Sequence, residues 1–340
     1  MAARLSAVVM AVGTDVVLRR ALRRSPHATL RDRFGLVLPS ADLELGVRHH
    51  EVSVLLSEHA LFGPPGPAPT MDAPVELVLT RAGAKPVAVV HGDEATALAL
   101  VRWARARQLP AVLGPYEFDV HPEPGKGAFA DLAAGRRPAR PGSGAWRPVV
   151  VGARGNDNDV ALAWLSLLFG WDEALGLLLG YPACCARSFP AAWQEAQRDH
   201  AGDLAALRLG NGPWELNVTA RFLGPTLIQH FPCRPDCRPS LTLARRNLAV
   251  LDALAPATAE RIRTLLPSPI VHAGEHGVIV FVGGRVVDDR IVFDPSLVET
   301  TDDGFWERFR RTSPLRTTEL PAGATLVTFR EESHALDRTA

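Results

Sequence analysis

Cysteine is scarce in this chain, with four among 340 residues. An excess of either charge is missing altogether: 37 Lys and Arg balance 37 Asp and Glu, which removes the electrostatic footprint expected of a protein that holds nucleic acid or an anionic membrane surface. No apolar run is long enough to cross a bilayer. The apolar run 5–13 is short and leads into Thr-Asp-Val-Val-Leu-Arg-Arg rather than a small-residue cleavage site, so the expected compartment is the cytoplasm. A reducing compartment disfavours structural disulfides. Residues 149–155 have neither the G-x-G-x-x-G order nor the Gly-Lys-Ser/Thr ending of a phosphate loop. The run 156–159 lacks the glycine and the glutamate of a calcium loop and reads as a helix cap.

What is present is ample apolar material. Hydrophobic residues make up 47% and charged residues 22%, enough for the cores of two or three domains. The patterning predicts a mixed α+β fold in parts. An N-terminal segment, 1–62, does not resolve into helix or strand. A small N-terminal α/β unit spans 75–134, a mostly helical cysteine domain 149–267, and a β-rich C-terminal module 268–340. The proline-rich stretches 63–74 and 135–148 read as linkers. In the α/β unit, 75–80 and 86–90 read as strands around a turn at 81–84, 93–108 as an amphipathic helix capped by Asp93, and 111–120 as a strand. Helices are expected at 159–169, 172–179, 182–188, 190–199, 213–223, 239–254 and 256–266. Past residue 270, Gly283-Gly284 is expected to join 278–282 to 285–287 as a hairpin, with strands at 290–293 and 325–329 and a short helix or loop at 302–311.

The scarce cysteines are concentrated. All of them fall in two stretches, Gly-Tyr-Pro-Ala-Cys184-Cys185 and His230-Phe-Pro-Cys233-Arg-Pro-Asp-Cys237. One adjacent pair and one C-x3-C pair imply that Cys184, Cys185, Cys233 and Cys237 converge on one site. Pro182 and Pro239 each open an expected helix, since proline suits the first helical position, so both pairs sit at helix N-termini. There the helix dipole and unpaired N–H groups favour thiolates. Arg187, Arg234 and Arg238 flank the cysteines, with Asp236 the one acid among them.

Three readings of the cysteines stand side by side: a thiolate-bound metal centre, a dithiol for redox or sulfur chemistry, and four buried cysteines acting as small apolar residues. Within the first, adjacent cysteines in a helix diverge by about 100° and suit different irons of an iron–sulfur cluster better than one small ion, with structural zinc as the alternative. His230 is a further ligand candidate in place of one cysteine. Trp214, Asn217 and Arg221 fall at i, i+3 and i+7 of the helix expected over 213–223, which sets an aromatic wall, an amide and a cation on one face. Asn217, Arg221 and His230 are therefore the candidate catalytic residues. The His49-His50-Glu51 triplet has no second ligand pair and reads as a surface turn. Gly274 between His272 and His276 disfavours a metal-binding helix, leaving both as candidate proton donors.

The string Leu-Leu-Gly180-Tyr181-Pro182-x-Cys184-Cys185-x-x-x-Phe189, followed by Trp214, Asn217, Arg221 and His230-Phe231-Pro232-Cys233-x-x-x-Cys237-x-x-Ser240, resembles an uncharacterised domain family marked by GYPxCC and HFPCxxxC motifs. The resemblance covers residues 160–250 and implies a domain type and a shared cysteine site, without a reaction. The arrangement is also analogous to cluster-binding domains in which a Cys-Cys pair and a later C-x2-C hold an iron–sulfur centre. Here the second pair is C-x3-C, and Ala186 stands in place of a glycine. Two classes of function follow. One is an iron–sulfur or thiol-dependent enzyme or electron carrier acting on a small anionic molecule. The other is a non-catalytic protein stapled by zinc that binds a protein partner. Nucleic acid and membrane are expected in neither.

Overall fold

Val149, Val150 and Val151 are fully buried, and the strand that carries them is the centre of a sheet. The computed structural model describes residues 21, 26–34, 74–114, 116–118, 137–138, 145–199, 204, 210–274, 277–311 and 313–329. The expectations for His49, His50, His276 and the linker 63–73 lie outside these residues. The fold is α+β. It divides into two compact units, Met1–Val120 with Leu132–Tyr181, and His121–Asp131 with Pro182–Ala340, so the division falls within the stretch 149–267 that reads as one domain in sequence.

The first unit contains α1 (Pro26–Phe34), α2 (Val75–Arg81), β1 (Val87–Gly92), α3 (Glu94–Arg105), β2 (Ala111–Leu113), β3 (Tyr116–Glu117), β4 (Arg137–Pro138), β5 (Arg147–Gly152), α4 (Asp157–Phe169) and α5 (Asp172–Leu178). β5 lies between β1 and β2, antiparallel to both, with Val87 opposite Gly152 and Leu113 opposite Val149. Successive strand residues face opposite sides. Val149 and Val151 accordingly pack with Leu100, Val101 and Ala104 of α3, while Val150 packs with Val160, Ala163 and Leu167 of α4. Asp93 caps α3 by accepting from the Thr96 N–H at 2.8 Å.

Several sequence expectations are corrected in this unit. Residues 75–80 are helical: Leu77 and Val78 N–H groups bond to the Pro74 carbonyl, and the turn at 81–84 is the end of that helix, with Gly83 at φ 72° and Ala84 N–H bonded to Leu79 O. A seven-residue run is too short for periodicity to separate helix from strand, and the left-handed glycine is a helix stop here rather than a hairpin turn. The strand expected over 111–120 is interrupted between β2 and β3. Arg147 and Pro148, expected in a linker, belong to the buried strand β5. Asn156 precedes α4 without a side-chain cap bond and donates instead to the Pro86 carbonyl.

The second unit contains α6 (Ala183–Asp199), α7 (Arg238–Leu254), α8 (Pro256–Leu265), β6 (Ile270–His272), β7 (Val278–Phe281), β8 (Arg285–Val287), β9 (Arg290–Val292), β10 (Val298–Thr300), α9 (Asp303–Arg310), β11 (Leu315–Arg316) and β12 (Thr325–Val327). Two antiparallel sheets, ordered β10-β7-β6-β12 and β11-β9-β8, share a core of Val271, Ile279, Phe281, Ile291, Trp306, Phe309 and Leu315. The expected hairpin through Gly283-Gly284 is absent, because β7 and β8 belong to different sheets. Gly283 at φ 69° turns the chain from one sheet to the other, and β8 pairs with β9 through Asp288, itself at φ 53°. The helices expected at 182–188 and 190–199 are one helix that continues through Pro190.

Half-buried His91 meets the Phe118 ring edge-on at 5.7 Å between centroids, and burial pulls its pKa from 6.5 down to about 4. The unfolded chain therefore takes up this proton before the folded one, so stability is complete above pH 6.5 and falls as pH drops toward 4. Thermal melts of wild type across this window should show that fall, and His91→Gln should show a shallower one. Equal slopes would refute the assignment.

Candidate metal centre

The site forms where two helices begin. Cys184 and Cys185 lie in the first turn of α6, Cys237 is the residue that precedes α7, and Pro239 occupies the start of α7 where its missing N–H costs nothing. Side chains in a helix lean toward its N-terminus, so in a first turn they project beyond the helix end. That is why the two adjacent cysteines converge, with sulfurs 3.8 Å apart, despite their angular offset. Cys237 Sγ lies 3.8 Å from Cys184 Sγ, 3.6 Å from Cys185 Sγ and 3.7 Å from Cys233 Sγ. All four sulfurs lie within 4.8 Å of one another, an arrangement that can hold a metal ion. Cys184 is exposed, Cys233 half-buried, and Cys185 and Cys237 buried.

Hydrogen bonds single out two of the sulfurs. The Cys233 N–H donates to Cys185 Sγ at 3.3 Å. Ser240, fully buried one turn along α7 from Cys237, donates to Cys237 Sγ at 3.3 Å and lies 3.2 Å from Cys185 Sγ. With its one proton directed at sulfur, Ser240 Oγ accepts from His230 Nε2, 2.7 Å away. Burial pushes the Cys185 thiol above its ordinary range, against the bonds from Ser240 and Cys233. Burial raises Cys233 as well, reinforced by Cys237. At Cys237 burial acts in the same direction, but the Ser240 side-chain and backbone bonds, with those from Cys185 and Cys233, outweigh it and hold the thiol below its ordinary range.

Of the other sequence candidates, His230 reaches the centre through Ser240. Arg221 braces the same loop: its guanidinium donates to Gln229 O at 3.1 Å and lies 4.2 Å from the centre of the Phe231 ring. Asn217 is directed elsewhere, donating to Leu266 O at 2.8 Å and accepting from the N–H groups of Thr219 and Ala220. The helix expected over 213–223 is in fact two short 3-10 turns, Trp214–Leu216 and Thr219–Phe222, parted at Asn217, which is extended. An asparagine amide competes with the helical ladder and here caps the second turn, so Trp214, Asn217 and Arg221 do not share a helix face. His272 sits in β6 opposite Val278 and Thr325, and its Nδ1 accepts from Gly274 N–H.

Sequence reasoning placed Ser240 in the cysteine motif without giving it a role, and passed over the strip 210–212. The signal for Ser240 was its i+3 spacing from Cys237. The strip carries Gly210 and Gly212 against Pro235 in the cysteine loop; a Cβ on Gly212 would lie 2.2 Å from the Pro235 carbonyl oxygen. Beside it, Asn217, Thr219, Pro232, Pro235 and Phe329 line part of a small, shallow cleft. The chain matches no protein-family model, no curated protein and no solved structure. Among the described residues, no helix is long and apolar enough to cross a membrane.

Gly212→Ala must push the 233–237 loop off its backbone contact. The expected result is a metal affinity weakened about tenfold or more, with a stability loss of about 1–3 kcal/mol, read by competition with a chromogenic chelator and by denaturant unfolding. Unchanged affinity would show that the loop does not depend on this contact.

Proposed function

We propose that the four cysteines hold one metal ion, zinc before iron, as a closed tetrathiolate that ties the start of α6 to the loop and start of α7. The observation that carries this reading is the sulfur spacing: Cys184–Cys185, Cys184–Cys237, Cys185–Cys237 and Cys233–Cys237 lie 3.6–3.8 Å apart, and all four sulfurs lie within 4.8 Å of one another. A tetrahedral ion at about 2.3 Å from each sulfur separates the sulfurs by about 3.8 Å. An iron–sulfur cluster, the expectation from sequence, interposes its own irons and sulfides between the thiolates and calls for a wider frame than sulfurs in van der Waals contact. The argument for the cluster was the divergence of adjacent cysteines, and Cys184 and Cys185 do not diverge. Four protein ligands leave no open position on a tetrahedral ion, which favours a structural over a Lewis-acid role. His230 and Ser240 then act as outer partners that orient and partly neutralise the thiolates, and Arg221 shapes the loop that bears them.

Metal and acid-labile sulfide analysis of anaerobically purified protein tests this directly. The expected result is one metal per chain and no sulfide. Several irons with matching sulfide would establish the cluster instead, and a metal-free chain with four titratable thiols would favour the dithiol. Cys185→Ala is expected to lose the metal and to lower the melting temperature by roughly 10 °C, because metal-binding free energy is folding free energy. Ser240→Ala should keep the metal but weaken it about tenfold to a hundredfold, as measured by chelator competition. Acid should release the ion as protons displace it from the thiolates, so affinity falls with falling pH.

A further inference from the structure

We propose that Cys184 is the reactive thiolate of the centre, a metal-bound nucleophile that accepts an alkyl group from a small anionic carbon electrophile. The proposal rests on the single-ion reading above. A closed tetrathiolate offers an incoming molecule no site on the metal, so chemistry at such a centre takes place at sulfur. The four sulfurs are not equivalent in this respect. Cys184 is exposed, whereas Cys185 and Cys237 are buried and Cys233 is half-buried.

Hydrogen bonding points the same way. Cys185 Sγ accepts the Cys233 N–H, and Cys237 Sγ accepts the Ser240 hydroxyl. Among the described residues, Cys184 Sγ meets only other sulfurs, at 3.8 Å from both Cys185 and Cys237. A hydrogen bond to a thiolate draws charge from the sulfur and lowers its nucleophilicity, so Cys184 and Cys233, whose sulfurs meet only other sulfurs among the described residues, keep the most electron density. Of these two, Cys184 is exposed and Cys233 half-buried, so access selects Cys184.

The surroundings select for charge. The positive ends of two 17-residue helices, α6 and α7, meet at the site. Exposed Arg187 lies three residues after Cys184 on α6, and exposed Arg238 opens α7. Asp236 in the cysteine loop is paired with Arg234 at 3.1 Å. Such a field raises the local concentration of small anions. In the reaction, a Cys184 lone pair forms the sulfur–carbon bond while the bond from carbon to its leaving group breaks, and the leaving group departs with that electron pair as an anion. No oxidant, reductant or proton is consumed. The product is a thioether, uncharged and a weaker zinc ligand than the thiolate it replaces, so the transfer also loosens the metal.

The test uses the full chain with its metal content measured first, treated with limiting iodoacetate or iodoacetamide and mapped by peptide mass. The first label should fall on Cys184, at least about tenfold faster than on any other cysteine. The ratio of iodoacetate to iodoacetamide rates should exceed that of free cysteine, and Arg187→Gln with Arg238→Gln should lower it roughly two- to fivefold. Cys184→Ser should suppress the fast labelling. If that variant fails to hold metal, the mapping on wild type decides alone. A metal-loaded protein labelled first at Cys233, Cys185 or Cys237, or at all four equally, overturns the role of Cys184 while leaving the metal reading intact. A ratio equal to that of free cysteine overturns the selection for anions. A chain purified without metal overturns both readings.

Discussion

Four sulfurs gathered within 4.8 Å of one another impose a condition on everything around them. Ionised together, neighbouring thiolates at 3.6–3.8 Å repel by about 4 kcal/mol per pair at an effective dielectric constant near 20. A fold that brings them so close must keep them protonated or supply positive charge. The local structure supplies it in part: two helix starts face the cluster, Cys185 accepts a backbone N–H, and Ser240 donates a hydroxyl. A cation among the sulfurs would complete the balance, and the four sulfurs are close enough together to hold one.

The second unit is arranged to hold those two helix starts in register. Pro239 starts α7 and Cys237 precedes it, so the position of one cysteine is set by where a helix begins. The loop 233–237 that carries the other is held from two sides. Gly210 and Gly212 press on Pro235, where a side chain would collide, while Arg221 reaches Gln229 and stacks on Phe231 just before Cys233. Asn217 is part of the same support at one remove, since it caps the turn that bears Arg221 and is anchored to the end of α8 through Leu266. These are positioning contacts, made by polar groups whose hydrogen bonds are directed at backbone.

The first unit obeys a simpler constraint. Its sheet is antiparallel yet buried on both faces, because β5 carries valine at successive positions and must be covered on each side by a helix. Continuous apolar character in a short strand thus dictated a layered arrangement, and Arg147 and Pro148, at the end of the proline-rich stretch, became part of that strand.

Local chemistry made some features legible in the sequence. The Asp93 cap, the amphipathic helices over 93–108 and 239–254, the α+β class and the convergence of Cys184, Cys185, Cys233 and Cys237 all follow from residue spacing, helix-start signals and periodicity within a few turns of chain. Other features depended on partners distant in sequence. Whether β7 and β8 pair was settled by strand partners distant in sequence, whereas 75–80 and 213–223 turned on local bonds, to Pro74 O and to Asn217 Oδ1, that a short apolar pattern does not reveal. The same holds at the site. The cysteine set was determined by sequence alone, but only the tertiary structure decided that adjacent thiols converge, that Ser240 and His230 stand behind them and that Cys184 alone is exposed, because separation and burial depend on how two helix ends meet in space.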